Sequence, residues 1–149
     1  MKTLPLLAAV VAFWSGIALA ADEKSAWMTD YEAAVAEAKA TGKPVLADFT
    51  GSDWCGWCIK LSKETFDQPK FLEYAKDHLV LLELDYPNGK EQSEAVKKQN
   101  AELSEKFKIQ GFPTLVLIDG DGKEIARHVG YLAGGPDAMI EWIKKSTEG

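Results

Sequence analysis

Apolar positions along this chain follow two rhythms. Residues 44–50, 78–85 and 114–118 are short, nearly continuous apolar runs, the pattern of strands buried on both faces. Between them the apolar residues recur at helical spacing. Thr29-Asp30-Tyr31-Glu32 has the form of a capping box opening a helix, with Tyr31, Ala34, Val35 and Ala38 on one face and Gly42-Lys43-Pro44 as its stop. Ile59, Leu61 and Phe66 mark a second helix. It restarts at Asp67-Gln68-Pro69 and is carried by Phe71, Leu72 and Ala75 to about Lys76. A polar helix over residues 92–107 turns Val96, Leu103 and Phe107 inward. Asp119-Gly120-Asp121-Gly122 is a hairpin turn signal, residues 124–129 are the returning strand, and Gly134-Gly135-Pro136-Asp137 opens a last helix. Trp27, ahead of the first cap, reads as a packing residue.

The order is helix, strand, helix, strand, helix, strand, strand, helix. Crossover helices imply parallel strands, and the final hairpin is antiparallel. The expected fold is α/β: a small mixed sheet, parallel strands plus a terminal antiparallel hairpin, with helices on both faces.

The first twenty residues stand outside that order. Lys2 is a minimal basic start, residues 4–14 are apolar apart from Pro5, and Ala18-Leu19-Ala20 is an A-x-A processing site. Residues 1–20 are read as a signal peptide and residues 21–149 as the folded domain. An uncleaved membrane anchor is the alternative, since the apolar stretch is of borderline length for a bilayer. Cleavage is favoured by the small residues at the site and by the polar Asp22-Glu23-Lys24 beyond it. Export leads to an oxidising compartment, most simply a bacterial periplasm; secretion is the other destination.

Composition then narrows the function. The chain has 149 residues, 46% hydrophobic and 27% charged, with a formal charge of −6. That length allows one domain with a sizeable core. The acidic balance excludes a phosphate-gripping nucleic-acid surface, which needs clustered Lys and Arg.

Both cysteines of the chain lie in Asp53-Trp54-Cys55-Gly56-Trp57-Cys58, just after an apolar strand and at the start of a helical pattern. A bridge across two residues closes too small a loop to staple a fold. At a helix N-terminus, unpaired N–H groups and the dipole stabilise a thiolate, so reversible disulfide chemistry is the better reading. Gly56-Trp57 offers no cation to the thiolate, and Asp53 slightly opposes it. Asp48 interrupts the strand over residues 44–50. It is either a strand-end acid reaching solvent or a buried carboxyl of raised pKa serving the second cysteine as proton acceptor.

With Trp54-Cys55-Gly56-Trp57-Cys58 after Asp48-Phe49, and Gly111-Phe112-Pro113-Thr114 before the hairpin, the chain resembles the thioredoxin superfamily. Within it the chain is most similar to exported single-domain members, over about residues 27–145. The resemblance implies that Cys55 attacks and Cys58 resolves, that Trp54 flanks them, and that Pro113 is a cis-proline. That proline turns the backbone of Phe112 toward the cysteines to pair with a substrate strand. Trp57, usually exposed at this position, either contacts substrate or shields Cys58.

Two departures qualify the match. Asp48 lies seven residues before Cys55, one more than is usual, because Gly51-Ser52-Asp53 lengthens the loop. The lysine that accompanies that aspartate in the family falls at about Leu81. The segment over residues 86–107 is longer than in a minimal thioredoxin and reads as a solvated insertion, with a partner-specific role as the alternative.

The implied function is an exported thiol–disulfide oxidoreductase acting as a protein-disulfide reductase, with oxidase or isomerase as alternatives. Expected partners are proteins with disulfides or thiols and an upstream, membrane-bound thiol donor. A monomer without cofactor or metal is expected. Metal delivery and a non-catalytic scaffold are the competing classes. The only histidines, His78 and His128, lack ligand spacing, and Cys58 is followed by Ile59 rather than a haem-linking His.

Overall fold

A strand with no solvent face must lie inside a sheet that is covered on both sides. Val45–Thr50 is buried at all six positions, and it lies at the centre of the sheet. The computed structural model describes residues 26–149; the signal-peptide reading of residues 1–20 lies outside them. The elements are β1 (Trp27–Met28), α1 (Tyr31–Thr41), β2 (Val45–Thr50), α2 (Gly56–Leu61) running into a π-helical turn (Ser62–Phe66), α3 (Pro69–His78), β3 (Val80–Asp85), α4 (Glu94–Lys106), β4 (Thr114–Ile118), β5 (Glu124–Val129) and α5 (Gly135–Thr147). The sheet order is β1-β3-β2-β4-β5. The first three are parallel, and β4 and β5 are antiparallel to their neighbours. This is the thioredoxin-like α/β architecture expected from the sequence.

Three details correct that expectation. β1 was not anticipated, because two residues carry no periodicity; Trp27 in it pairs with Leu81, and its ring packs against Phe66 and Phe71 at 5.1 and 6.5 Å. The cap of α1 is Asp30, which accepts from the Ala33 N–H at 2.8 Å, rather than Thr29. Finally, β4 runs antiparallel to β2 despite the crossover helix before it. Asp85 pairs with Thr50 and Thr114 with Phe49, so the connection through α4 leaves and re-enters the sheet at the same end. A connection of that kind reverses the next strand.

Alternation along β2 divides the core and places the site. Val45, Ala47 and Phe49 face the layer with Tyr31 and Ala34 of α1 and Leu103 of α4. Leu46 faces the layer with Leu61, Phe66, Phe71, Met139 and Ile143. Asp48 and Thr50 share the side of Leu46 by the two-residue period, so the acid lies on the face covered by α2. The segment after β3 is also not simply solvated: Asn100 and Leu103 of α4 and the adjoining Phe107 are buried.

Candidate active site

Gly51 ends β2 and lets the chain turn sharply. The N–H groups of Trp54 and Cys55 both donate to its carbonyl, at 3.3 and 2.9 Å. Cys55 then caps α2, its sulfur accepting from the Cys58 N–H at 3.2 Å. The two cysteines are joined as a disulfide with Cα atoms 5.2 Å apart, and both are buried. A sulfur at a helix cap sits where free N–H groups favour negative charge, which suits Cys55 to carry a thiolate once the bond opens. The spacing also keeps Cys58 one helical turn away, within bonding reach.

Behind Cys58 lies a cavity of about 210 Å³ lined by Asp48, Ser62, Lys63, Asp67 and Glu83 as well as the cysteine. Asp48 is 7% exposed and its Oδ1 has no hydrogen-bond partner. Burial, reinforced by the charges of Glu83 and Asp85, pushes its carboxyl up to about 8. Of the two readings of this acid, the solvent-reaching one is therefore set aside. The register corrects a second point: the residue beside Asp48 on β3 is Glu83, not Leu81. An acid beside Asp48 raises its carboxyl, where a lysine would lower it.

On the outer side, the Phe112–Pro113 peptide is cis, as the resemblance implies. The Pro113 carbonyl accepts from the Gly130 N–H at 2.8 Å, and the Thr114 hydroxyl donates to the Gly111 carbonyl at 2.8 Å. Trp54, 46% exposed, meets the Phe112 ring edge-on at 5.8 Å. Gly56 leaves open space at its Cα. Trp57 is 58% exposed. Its ring lies 5.3 Å from that of Tyr131, with the Lys60 ammonium 5.3 and 5.0 Å from the Trp57 and Tyr131 ring centres. Tyr131 was not singled out from the sequence; a tyrosine in a Gly-rich loop carries no signal until the fold brings it to the cysteines.

Asp53 has partners that the sequence did not reveal. Its carboxylate accepts from the backbone N–H groups of Asn88 and Gly89, which hold it below the usual carboxylate range. Among the described residues, no group of three or more His, Cys, Asp or Glu is placed to hold a metal ion, and no helix is long and apolar enough to cross a membrane.

A dithiol that closes reversibly at the first helix after the central strand, opposite a cis-proline loop, is the working centre of thiol–disulfide oxidoreductases of thioredoxin fold. The chain belongs to the thioredoxin-like family, whose domain model matches residues 31–147. It is 39% identical over 118 residues to the disulfide bond reductase DsbH of Chlamydia pneumoniae, covering 79% of this chain and 70% of that protein. It is 36% identical over 101 residues to the thioredoxin-related protein DsbJ of the same organism, covering 68% of this chain but 29% of that longer protein. A solved structure described as DsbH oxidoreductase superposes with a TM-score of 0.77 at 38% identity, covering 82% of this chain and 83% of that one.

Proposed function

We propose that the protein reduces protein disulfides in an exported compartment and is itself re-reduced by an upstream dithiol donor. The observation that carries the direction is the pairing of Asp48 with Glu83 beneath Cys58. Strong oxidants stabilise their reduced thiolate; here the Glu83 charge, with Asp48 neutral at pH 7, destabilises the thiolate and makes the dithiol the readier electron donor. The reductase named among the relatives agrees with this direction.

In the forward reaction the Cys55 thiolate attacks one sulfur of the substrate disulfide, and the other leaves as a thiolate. Cys58 then loses its proton, attacks Cys55, and expels the second substrate sulfur. Two electrons pass to the substrate and the Cys55–Cys58 bond forms. The donor's thiolate reverses the sequence by opening that bond at Cys55 and releasing Cys58 as a thiolate. Asp48, protonated below about pH 8 in the disulfide state, supplies a proton for Cys58 at that point and accepts one in the forward step. Trp54, Trp57 and Phe112 form the face that receives the substrate strand, with Pro113 and Thr114 buried behind it.

Residues 1–20 direct export to a bacterial periplasm and are removed before Ala21. Sequencing the N-terminus of the exported protein checks that reading. The direction is tested by equilibrating the dithiol with glutathione and assaying insulin reduction. A strongly reducing equilibrium with turnover of insulin is expected; a potential near that of the strongest thiol oxidants would sink the reductase reading. A Cys58→Ala variant should hold substrates as mixed disulfides on Cys55, and recovery of no cysteine-dependent adduct would remove the exchange mechanism itself.

A further inference from the structure

The loop between β2 and Cys55 is tied to the segment that follows β3 by a set of directed bonds. Asp53 accepts from the Asn88 N–H through Oδ1 at 2.9 Å and from the Gly89 N–H through Oδ2 at 2.6 Å. Ser52 donates to the Asp85 carboxylate from its N–H at 2.9 Å and from its hydroxyl at 2.5 Å, and the Lys90 ammonium donates to that hydroxyl at 2.9 Å. The side-chain amides of Gln92 and Asn100 both donate to the Asp85 carbonyl, at 3.1 and 3.0 Å. The root of the segment is therefore anchored to α4 and its tip to the cysteine loop.

What the segment carries is Tyr86. Its carbonyl accepts the Trp54 indole N–H at 2.7 Å. Its ring lies 5.0 Å from that of Phe112, which in turn meets Trp54. Gly51 supplies the floor: a Cβ there would come within 2.4 Å of the Trp54 ring. Trp54 and Phe112 are thus held in place by a segment that is remote in sequence.

We infer that Asp53 is a positioning residue. By clasping the Asn88 and Gly89 N–H groups it ties the cysteine loop to the segment that carries Tyr86, itself held by its N–H on the Thr50 carbonyl and its hydroxyl on the Asn100 carbonyl, and so sets Trp54 and Phe112 as the aromatic walls that receive a protein disulfide beside Cys55. The inference rests on the exchange reading given above and adds to it a residue that governs recognition without entering the chemistry. A carboxylate suits this role because two successive N–H donors need two acceptor oxygens, and charge-assisted bonds are the stronger kind. The competing account is that the Asp53 charge acts directly on the Cys55 thiolate.

Two variants of the full chain separate these accounts. Asp53→Ala removes both bonds and the charge; Gly89→Pro deletes one donor and leaves the charge in place. With insulin as the protein disulfide, both should raise KM about fivefold while kcat stays within about twofold. With hydroxyethyl disulfide, too small to touch the walls, rates should stay within about twofold. The Cys55 thiolate titration should not move in either variant. In both, the Trp54 indole N–H resonance should shift and lose protection from solvent exchange. An unchanged insulin KM in Asp53→Ala overturns the inference. So does a loss shared equally by both disulfides, with a moved Cys55 titration and a silent Gly89→Pro. Were the wild-type protein to reduce neither disulfide, the exchange reading would fall first, and an indole resonance unmoved in both variants would refute the clasp independently.

Discussion

Asp48 and Asp53 lie five residues apart on the same approach to Cys55, and their surroundings drive them in opposite directions. Asp48 sits under α2, buried with one oxygen unpartnered, and burial with two nearby acids raises its carboxyl to about 8. Asp53 lies in solvent with both oxygens accepting backbone N–H groups, which lower its carboxyl. One acid is neutral at pH 7; the other is a charge held by two backbone donors. The side chains are identical, so the difference comes from desolvation against hydrogen bonding to the charged form.

The largest way to test the contrast is through stability. Between the ordinary aspartate value of 3.8 and about 8, folded Asp48 holds a proton that the unfolded chain has lost. Native protein then binds more protons than unfolded, so stability falls as pH rises, by about 1.4 kcal/mol per unit, and levels off above about pH 8. The Asp48 penalty is absent below 3.8 and complete above about 8. Asp48→Asn should abolish that slope and gain about 4–6 kcal/mol over wild type at pH 8. Denaturant unfolding of the oxidised protein from pH 4 to 9 measures it, and matching curves for the two proteins would refute a buried, proton-holding Asp48. Asp53→Ala should leave the wild-type slope above about pH 5 intact, because the Asn88 and Gly89 N–H groups hold its carboxyl below the usual 3.8.

Glu83→Gln sharpens the same point with a smaller effect. Glu83 is the second cause of the Asp48 shift, after burial. Removing its charge should lower the Asp48 titration but leave it above the ordinary value, recovering roughly 1 kcal/mol of stability at pH 8. Carbon-detected NMR of the Asp48 carboxyl reads this directly; a titration that stays put would mean that the carboxylates beside it are not coupled.

How far these features could be read from the sequence follows from their range. The three buried runs, the helix stops and the cysteine motif are local, and they gave the fold class and placed Cys55 and Cys58, but not the direction of β4. Asp48 was visible as an acid interrupting an apolar run. Its neighbour was misplaced by two positions, at Leu81 instead of Glu83, because parallel register is set by pairing across the sheet and leaves no local mark. The Asp53 clasp was hidden for a related reason. Asn88-Gly89 reads as an ordinary turn, and only the fold brings its N–H groups to a carboxylate 35 residues earlier. β1 and Tyr131 had too little local pattern to stand out.

The smallest test concerns the other aromatic flank, which lacks any such fastener. Trp54 is held by a backbone carbonyl and a glycine floor, whereas Trp57 rests on the Tyr131 ring and the Lys60 ammonium. Lys60 pairs with Glu64 at 3.9 Å, and Glu64 also accepts from the Tyr131 hydroxyl. Both contacts are exposed, so competing water leaves each of them weak. Tyr131→Phe keeps the ring and removes only the hydroxyl, so KM for insulin should change by less than about twofold. Tyr131→Ala removes the surface that Trp57 lies against and should raise that KM about threefold, with hydroxyethyl disulfide unaffected. Equal effects of the two substitutions would place the recognition in the hydroxyl rather than the ring. A positioned wall on one side of Cys55 and a yielding one on the other would let the first set register while the second adapts to different substrate side chains.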